Sequence, residues 1–262
     1  MYSTYFRHQL YLHSYKVVFA LVVFWGVIPN VSQAQINSVN LPNFDEQRWH
    51  FGFMLGMHTS AYQSQYVDAF VTPSYDTLHS VVPPSNPGFK IGFVVDYHLM
   101  ETLDIRFSPT VAFNQLELEY RYSDGTSVSD IQDPTYVEFP ILLKYKSVRR
   151  RNRRMYFLGG VNPAIKATSS KDKDNSIERL QTKGYNLSLD IGVGMDLYQP
   201  LFKFSPELRY SFGLVNVLDG DSATNDFNAP MKRLTIHTLA FYITFEGGPS
   251  TFRRKGGKQK RH

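Results

Sequence analysis

The residue types that usually carry chemistry are present in this chain, but not in the spacings that chemistry needs. The histidines after residue 34 are His50, His58, His79, His98, His237 and His262. No pair brackets a glutamate at helical spacing as a zinc site requires, and neither a nucleophile-elbow serine nor a glycine-rich phosphate loop occurs. There is no cysteine, which rules out a disulfide or a thiolate metal ligand. His58 is the one mild candidate for Ser–His–acid chemistry on lipid, and an ordinary buried or rim side chain is the simpler reading. Catalytic, cofactor-binding and metal residues are therefore expected to be absent, as is a small-molecule substrate.

Charge is the more informative signal. The net charge is +5 and the pI about 9.2, and much of the excess sits in two clusters. One is Arg149, Arg150, Arg151, Arg153 and Arg154. The other is Arg253, Arg254, Lys255, Lys258, Lys260 and Arg261 in the C-terminal tail. Each cluster fits attraction to anionic lipid headgroups, or docking to an acidic protein partner. A third set is scattered: Lys90, Asp96, Asp104, Arg106, Glu138, Lys144, Asp190, Asp196, Glu207 and Arg209. What these share is register, and that leads to the elements that position them.

From Tyr185 to Tyr198 the odd residues are Tyr185, Leu187, Leu189, Ile191, Val193, Met195 and Leu197, while the even ones are polar or small apart from Tyr198. Alternating side chains point to opposite faces of a strand. This stretch is therefore one strand, long enough at a tilt to cross a bilayer. The same pattern recurs at about 49–59, 89–98, 103–121, 136–146, 155–168, 202–215 and 234–245. In the third of these the apolar phase flips after Asn114-Gln115, which calls for a bulge or for the strand leaving the membrane there. Residues 123–134 read as a turn-rich loop. The eight strands are joined by connections that alternate long and short, the plan of an up-and-down transmembrane barrel. The scattered charges all fall on the face opposite the apolar one, so they belong to the lumen. Both signs are present and can pair there, giving a salt-bridged plug rather than a pore.

The front of the chain supports export. A basic start with Arg7 and Lys16 precedes an apolar run to Ile28, Pro29 breaks it, and Ser32-Gln33-Ala34 suits a signal peptidase. Cleavage is expected between Ala34 and Gln35. The run is too short for a spanning anchor. The expected organisation is a signal peptide at 1–34, a periplasmic lead-in at 35–48, a barrel at 49–246 and a basic periplasmic tail at 247–262. Both termini would then be periplasmic. A soluble lipocalin-like barrel also alternates. Small residues on the polar face and aromatics near strand ends favour the membrane, because a crowded lumen needs small side chains and interfaces collect Tyr and Trp. The fold expected is all-β, an eight-stranded antiparallel barrel in contact with outer-membrane lipid, and its compartment excludes nucleic acid.

Four stretches add a family resemblance. They are Asn86-Pro87-Gly88-Phe89, Tyr136-Val137-Glu138-Phe139-Pro140, Gly159-Gly160-Val161-Asn162-Pro163, and the run from Ser205-Pro206-Glu207 to Gly213-Leu214. Together they resemble the PorT family of Bacteroidetes outer-membrane barrels. The resemblance implies a non-enzymatic component of the type IX secretion system, which exports proteins with C-terminal sorting domains and supports gliding motility where present. Its partners would be other components of that system. It carries no catalytic residues over. The alternative is a structural or adhesive barrel working through a long loop at about 61–87, with Tyr62, Tyr66, Phe70 and Tyr75.

Overall fold

The computed structural model describes residues 39–67, 78–167, 180–219 and 227–247. The expected signal segment and its cleavage point at Ala34 and Gln35 lie outside the described residues, as do Phe70, Tyr75 and the basic tail. No described helix is long and apolar enough to cross a membrane. The crossing is done by strands.

The strand segments are β1 (Trp49–Tyr66), β2 (Leu78–Val82), β3 (Asn86–Met100), β4 (Leu103–Phe107), β5 (Thr110–Phe113), β6 (Leu116–Tyr122) and β7 (Ser127–Gln132), followed by β8 (Thr135–Glu138), β9 (Ile141–Lys146), β10 (Arg153–Lys166), β11 (Tyr185–Tyr198), β12 (Lys203–Gly213) and β13 (Met231–Gly247). Ten of them form one antiparallel sheet that closes on itself. β4 with β5, and β8 with β9, each act as one interrupted strand, so the ring has eight positions. Stepping across the register from Trp49 leads through Tyr97, Ile105, Leu143, Gly159, Ile191, Tyr210 and Leu239 back to β1 at Thr59. The stagger is thus ten residues. At roughly 3.3 Å per residue and 4.8 Å per strand this tilts the strands about 40°. The outward side chains of β11 from Leu197 to Leu187 then span roughly 25 Å along the axis, the height of an outer-membrane apolar band.

The alternation sets which face meets lipid. Phe51, Phe53, Leu55 and Met57 on β1 are exposed, whereas Met54, His58 and Ser60 are buried inward. Large and small inward residues interlock. A Cβ at Gly194 would stand 2.3 Å from the Tyr156 hydroxyl, and one at Gly56 would stand 2.5 Å from the Tyr242 ring. Proline interrupts two of the strands, because it has no N–H for the ladder. Its carbonyls still accept across the gap, Pro109 from Phe93 N at 3.0 Å and Pro140 from Ser108 N at 3.2 Å.

Several expected boundaries move. β1 continues seven residues past Thr59 to Tyr66, so Tyr62 and Tyr66 are strand residues rather than loop. Tyr62 is buried inward, and the Tyr66 hydroxyl bonds both Val81 O and Val81 N. After Asn114-Gln115 the chain leaves the ring: β6 pairs with β2 and β7 in a separate three-stranded sheet. The expected loop at 123–134 is therefore the β6–β7 hairpin. Leu116, Leu118 and Tyr120 pack with the inward Tyr62, Tyr136, Leu234 and Ile236, closing the end of the barrel that carries the long connections. Each of the two leucines contributes roughly 2 kcal/mol by leaving water.

Two adjacent glycines in β10 should respond oppositely to alanine. A Cβ at Gly159 meets nothing within 4 Å, while one at Gly160 would stand 2.1 Å from the Ile141 carbonyl oxygen. Gly159→Ala should leave the urea-unfolding midpoint unchanged or slightly raised, and Gly160→Ala should lower stability by about 1–3 kcal/mol. Equal midpoints for the two variants would show that this side of the wall is not packed as described.

Candidate functional site

The lumen is built around Arg106. Its guanidinium donates to both Asp96 oxygens at 2.7 Å, to Glu207 at 3.0 Å and to Glu246 at 2.8 Å. Toward the end carrying the short turns, Lys144 reaches Asp196 at 3.0 Å and sits 4.0 Å from the Tyr156 ring centre, and Lys203 reaches Glu246 at 2.6 Å. Lys146 donates to Asp104 at 2.6 Å beside His98. Toward the other end, Lys90 bonds Glu138 at 2.8 Å, and Arg209 bonds Glu207 and stands 3.8 Å from Asp190. All ten lumen residues singled out by register are buried, and each has an ion pair with at least one opposite charge. Lys146, Lys203 and Glu246 belong to the same network. Each shares the inward register of a neighbour two residues away, which is the signal that the sequence carries for them.

Arg106, Asp96, Glu207 and Glu246 are all fully buried, so the described side chains fill the lumen at that level. A cavity of about 20 Å³ lies among Lys90, Glu138, Asn162, Ser188 and Ser211. That is room for about one water, and Asn162 Oδ1 is a buried acceptor without a hydrogen-bond partner among the described residues. His58 faces the same interior, its Nε2 2.9 Å from Asn114 Oδ1. Among the described residues no group of three His, Asp or Glu side chains could hold a metal.

The mouth at the short-turn end is filled by the segment that precedes β1. Phe44 is buried, stacked on His50 at 4.2 Å and edge-on to Tyr198 at 6.0 Å. Asp45 accepts from the Tyr198 hydroxyl at 2.8 Å, Arg154 at 3.0 Å and Arg149 at 3.1 Å. Arg149 also lies 3.6 Å from the Tyr198 ring centre and donates to the carbonyls of Asn40 and Leu41. Burial alone would raise the Asp45 pKa. Arg154, the Tyr198 hydroxyl and Arg149 outweigh it, so the net shift is downward.

The basic link thus divides in two. Arg149 and Arg154 anchor the segment at 39–47, whereas Arg150, Arg151 and Arg153 are exposed. No described carboxylate lies within 4 Å of those three. Arg151 adopts φ +57°, a left-handed conformation that glycine or asparagine takes more cheaply. Beside the link an open pit of about 440 Å³ is lined by Asp45, Glu46, His98, Glu101, Arg149 and Arg154, among others. The second cluster, Arg253, Arg254, Lys255, Lys258, Lys260 and Arg261, lies outside the described residues.

The family that the sequence matches agrees with this architecture. A family model described as outer membrane protein beta-barrel domain matches residues 33–219. Among solved structures, the outer membrane protein OprG from Pseudomonas aeruginosa is 13% identical, covering 76% of this chain and 94% of its own, with a TM-score of 0.44. Neisserial surface protein A is 10% identical, covering 75% and 96%, with a TM-score of 0.40. AlkL, determined in lipid bilayers, is 12% identical, covering 76% and 88%, with a TM-score of 0.39. No curated protein matches the chain.

Two outcomes follow from the network and the mouth. Arg106→Met leaves three carboxylates facing an apolar side chain, and it should cost roughly 3–5 kcal/mol in urea unfolding of the folded barrel. A loss under 1 kcal/mol would contradict a central role. For Asp45 the folded pKa lies below the unfolded one. Its stabilisation is therefore complete above the unfolded carboxylate pKa and disappears as pH falls through the folded one. Protease cleavage between residues 39 and 47 should be resisted at neutral pH and increase on acidification. Asp45→Asn should already be cleaved at neutral pH, and resistance in that variant would show that the ion pairs do not hold the segment.

Proposed function

The chain belongs to the outer membrane protein beta-barrel domain family, and from that premise we propose that it is a non-enzymatic component of type IX protein secretion, needed for export of proteins with C-terminal sorting domains. An outer-membrane β-barrel whose lumen is filled by paired charges has only its rims and loops to work with. That is the observation that carries the reading. The resemblance of the run 205–214 and of the three shorter stretches to PorT barrels supplies the pathway.

In this reading both termini and the three short turns face the periplasm and the long connections face outward. Connection lengths support that orientation: the turns at 101–102 and 199–202 and the link at 147–152 are short, as periplasmic turns are. The signal peptide at 1–34 and the basic tail at 247–262 belong to the same proposal. Arg150, Arg151 and Arg153, with the tail, form the docking surface for an acidic periplasmic component. The strained φ at Arg151 supports a functional charge there, since strain of this kind persists where a role maintains it.

The test is a clean deletion in the native host, followed by a census of secreted and surface proteins. Proteins with C-terminal sorting domains should accumulate in the periplasm while other outer-membrane proteins stay normal. Unchanged export would remove the secretion role. The triple substitution R150Q/R151Q/R153Q should leave the barrel folded and reduce secretion. R149Q/R154Q should instead loosen the segment at 39–47. Normal secretion in the triple variant would end the docking assignment.

A further inference from the structure

At the long-connection end, the apolar wall of β11, β12 and β13 runs up to a second basic patch. Tyr185 and Leu189 on β11, Phe212 on β12 and Leu239 on β13 form the top of that wall, all exposed on its outward side. Just beyond them the chain leaving β12 crosses the end of β13. Asn216 fixes the crossing. Its side chain accepts from Leu234 N at 2.9 Å and Leu218 N at 3.2 Å, and donates to the Lys232 carbonyl at 3.2 Å.

Two cations are pinned to this crossing by its own carbonyls. Arg233 donates through Nη2 to Leu214 O at 2.8 Å, and Lys183 donates through Nζ to Asn216 O at 3.3 Å. Leu214 and Asn216 are two residues apart across a bend at Val215, so their Cα atoms lie within about 7 Å of each other, and a headgroup bearing two phosphates spans both cations. Neither has a described carboxylate within 4 Å. Their other N–H groups make no hydrogen bond to the described residues. Holding each cation by a carbonyl fixes its position without neutralising it.

We propose that Lys183 and Arg233 bind the phosphate of a phosphorylated glycolipid in the outer leaflet, with its acyl chains lying along the wall of β11, β12 and β13. The assignment rests on the long-connection end facing outward. A guanidinium and an ammonium each make charge-assisted hydrogen bonds to phosphate oxygens, the guanidinium in a planar fork that matches them. The contiguity of cations and apolar wall selects a lipid over free phosphate, because both parts of an amphiphile are met at once.

The test uses the full-length barrel in detergent micelles and diphosphoryl lipid A as the probe, with binding read by native mass spectrometry. Wild type should bind the diphosphoryl lipid, and K183Q/R233Q should bind it about tenfold or more weakly. Both proteins should keep the gel mobility of a folded barrel. Equal binding by the two proteins overturns the proposal, as does equal binding of fully dephosphorylated lipid by wild type. Loss of lipid binding in millimolar inorganic phosphate transfers the site to the free anion and overturns the lipid assignment. Should the double variant fail to fold, the wild-type ranking of diphosphoryl over dephosphorylated lipid decides the question. Orientation is read separately: the chain has no cysteine, so D124C at the tip of the β6–β7 hairpin gives a single site for an impermeant maleimide on intact cells. Absence of labelling there would mark a failure of the orientation rather than of the phosphate site.

Discussion

The structure depends on the pairing of Arg106 with Asp96, Glu207 and Glu246 inside a closed ring of eight tilted strands. A ring of this size has an interior just wide enough to fill with side chains. In hydrocarbon the outward face must be apolar, so the charges that the ring strands carry within the apolar band are forced inward, while Arg153 and Arg233 at the strand ends stay exposed. Once inside, each must find a partner, because an isolated buried ion is far too costly. Alternation, stagger and pairing are thus consequences of one constraint. The glycines opposite Tyr156 and Tyr242 follow from it too, since aromatic rings and long cations share the interior only if facing residues are small.

A filled lumen moves function to the ends. One end is closed by the apolar face of the three-stranded sheet, and the other by Phe44 and Asp45 of the segment before β1. The described residues offer there a rim of exposed arginines at the short turns and a carbonyl-pinned basic patch at the long connections. The first suits a protein partner and the second suits lipid. As proposed, the barrel docks a protein at one rim and binds lipid at the other.

The sequence was legible where lipid imposes a period. β11 runs from Tyr185 to Tyr198, the stretch whose alternation is cleanest. The apolar period of β1 stops short of its end because its outward residues after Thr59 are Ala61, Gln63 and Gln65. The apolar pattern ends where the hydrocarbon ends, although the hydrogen-bonded ladder continues. β7, Ser-Val-Ser-Asp-Ile-Gln, has no alternation to read, because it lies in the small sheet outside the ring. Register placed the lumen charges on one face but could not pair them, since Arg106 and Glu246 are 140 residues apart. The division within the arginine link was equally hidden. Asp45 and Arg154 are separated by 109 residues, and nothing local distinguishes Arg154 from Arg153 except register.

The central claim is that this is a sealed barrel acting through its rims, and planar-bilayer conductance tests it most directly. The purified full-length protein, inserted at neutral pH, should raise membrane conductance no more than a heat-denatured control. Stable, stepwise ion currents from the folded protein would show that the lumen conducts, and would contradict the account.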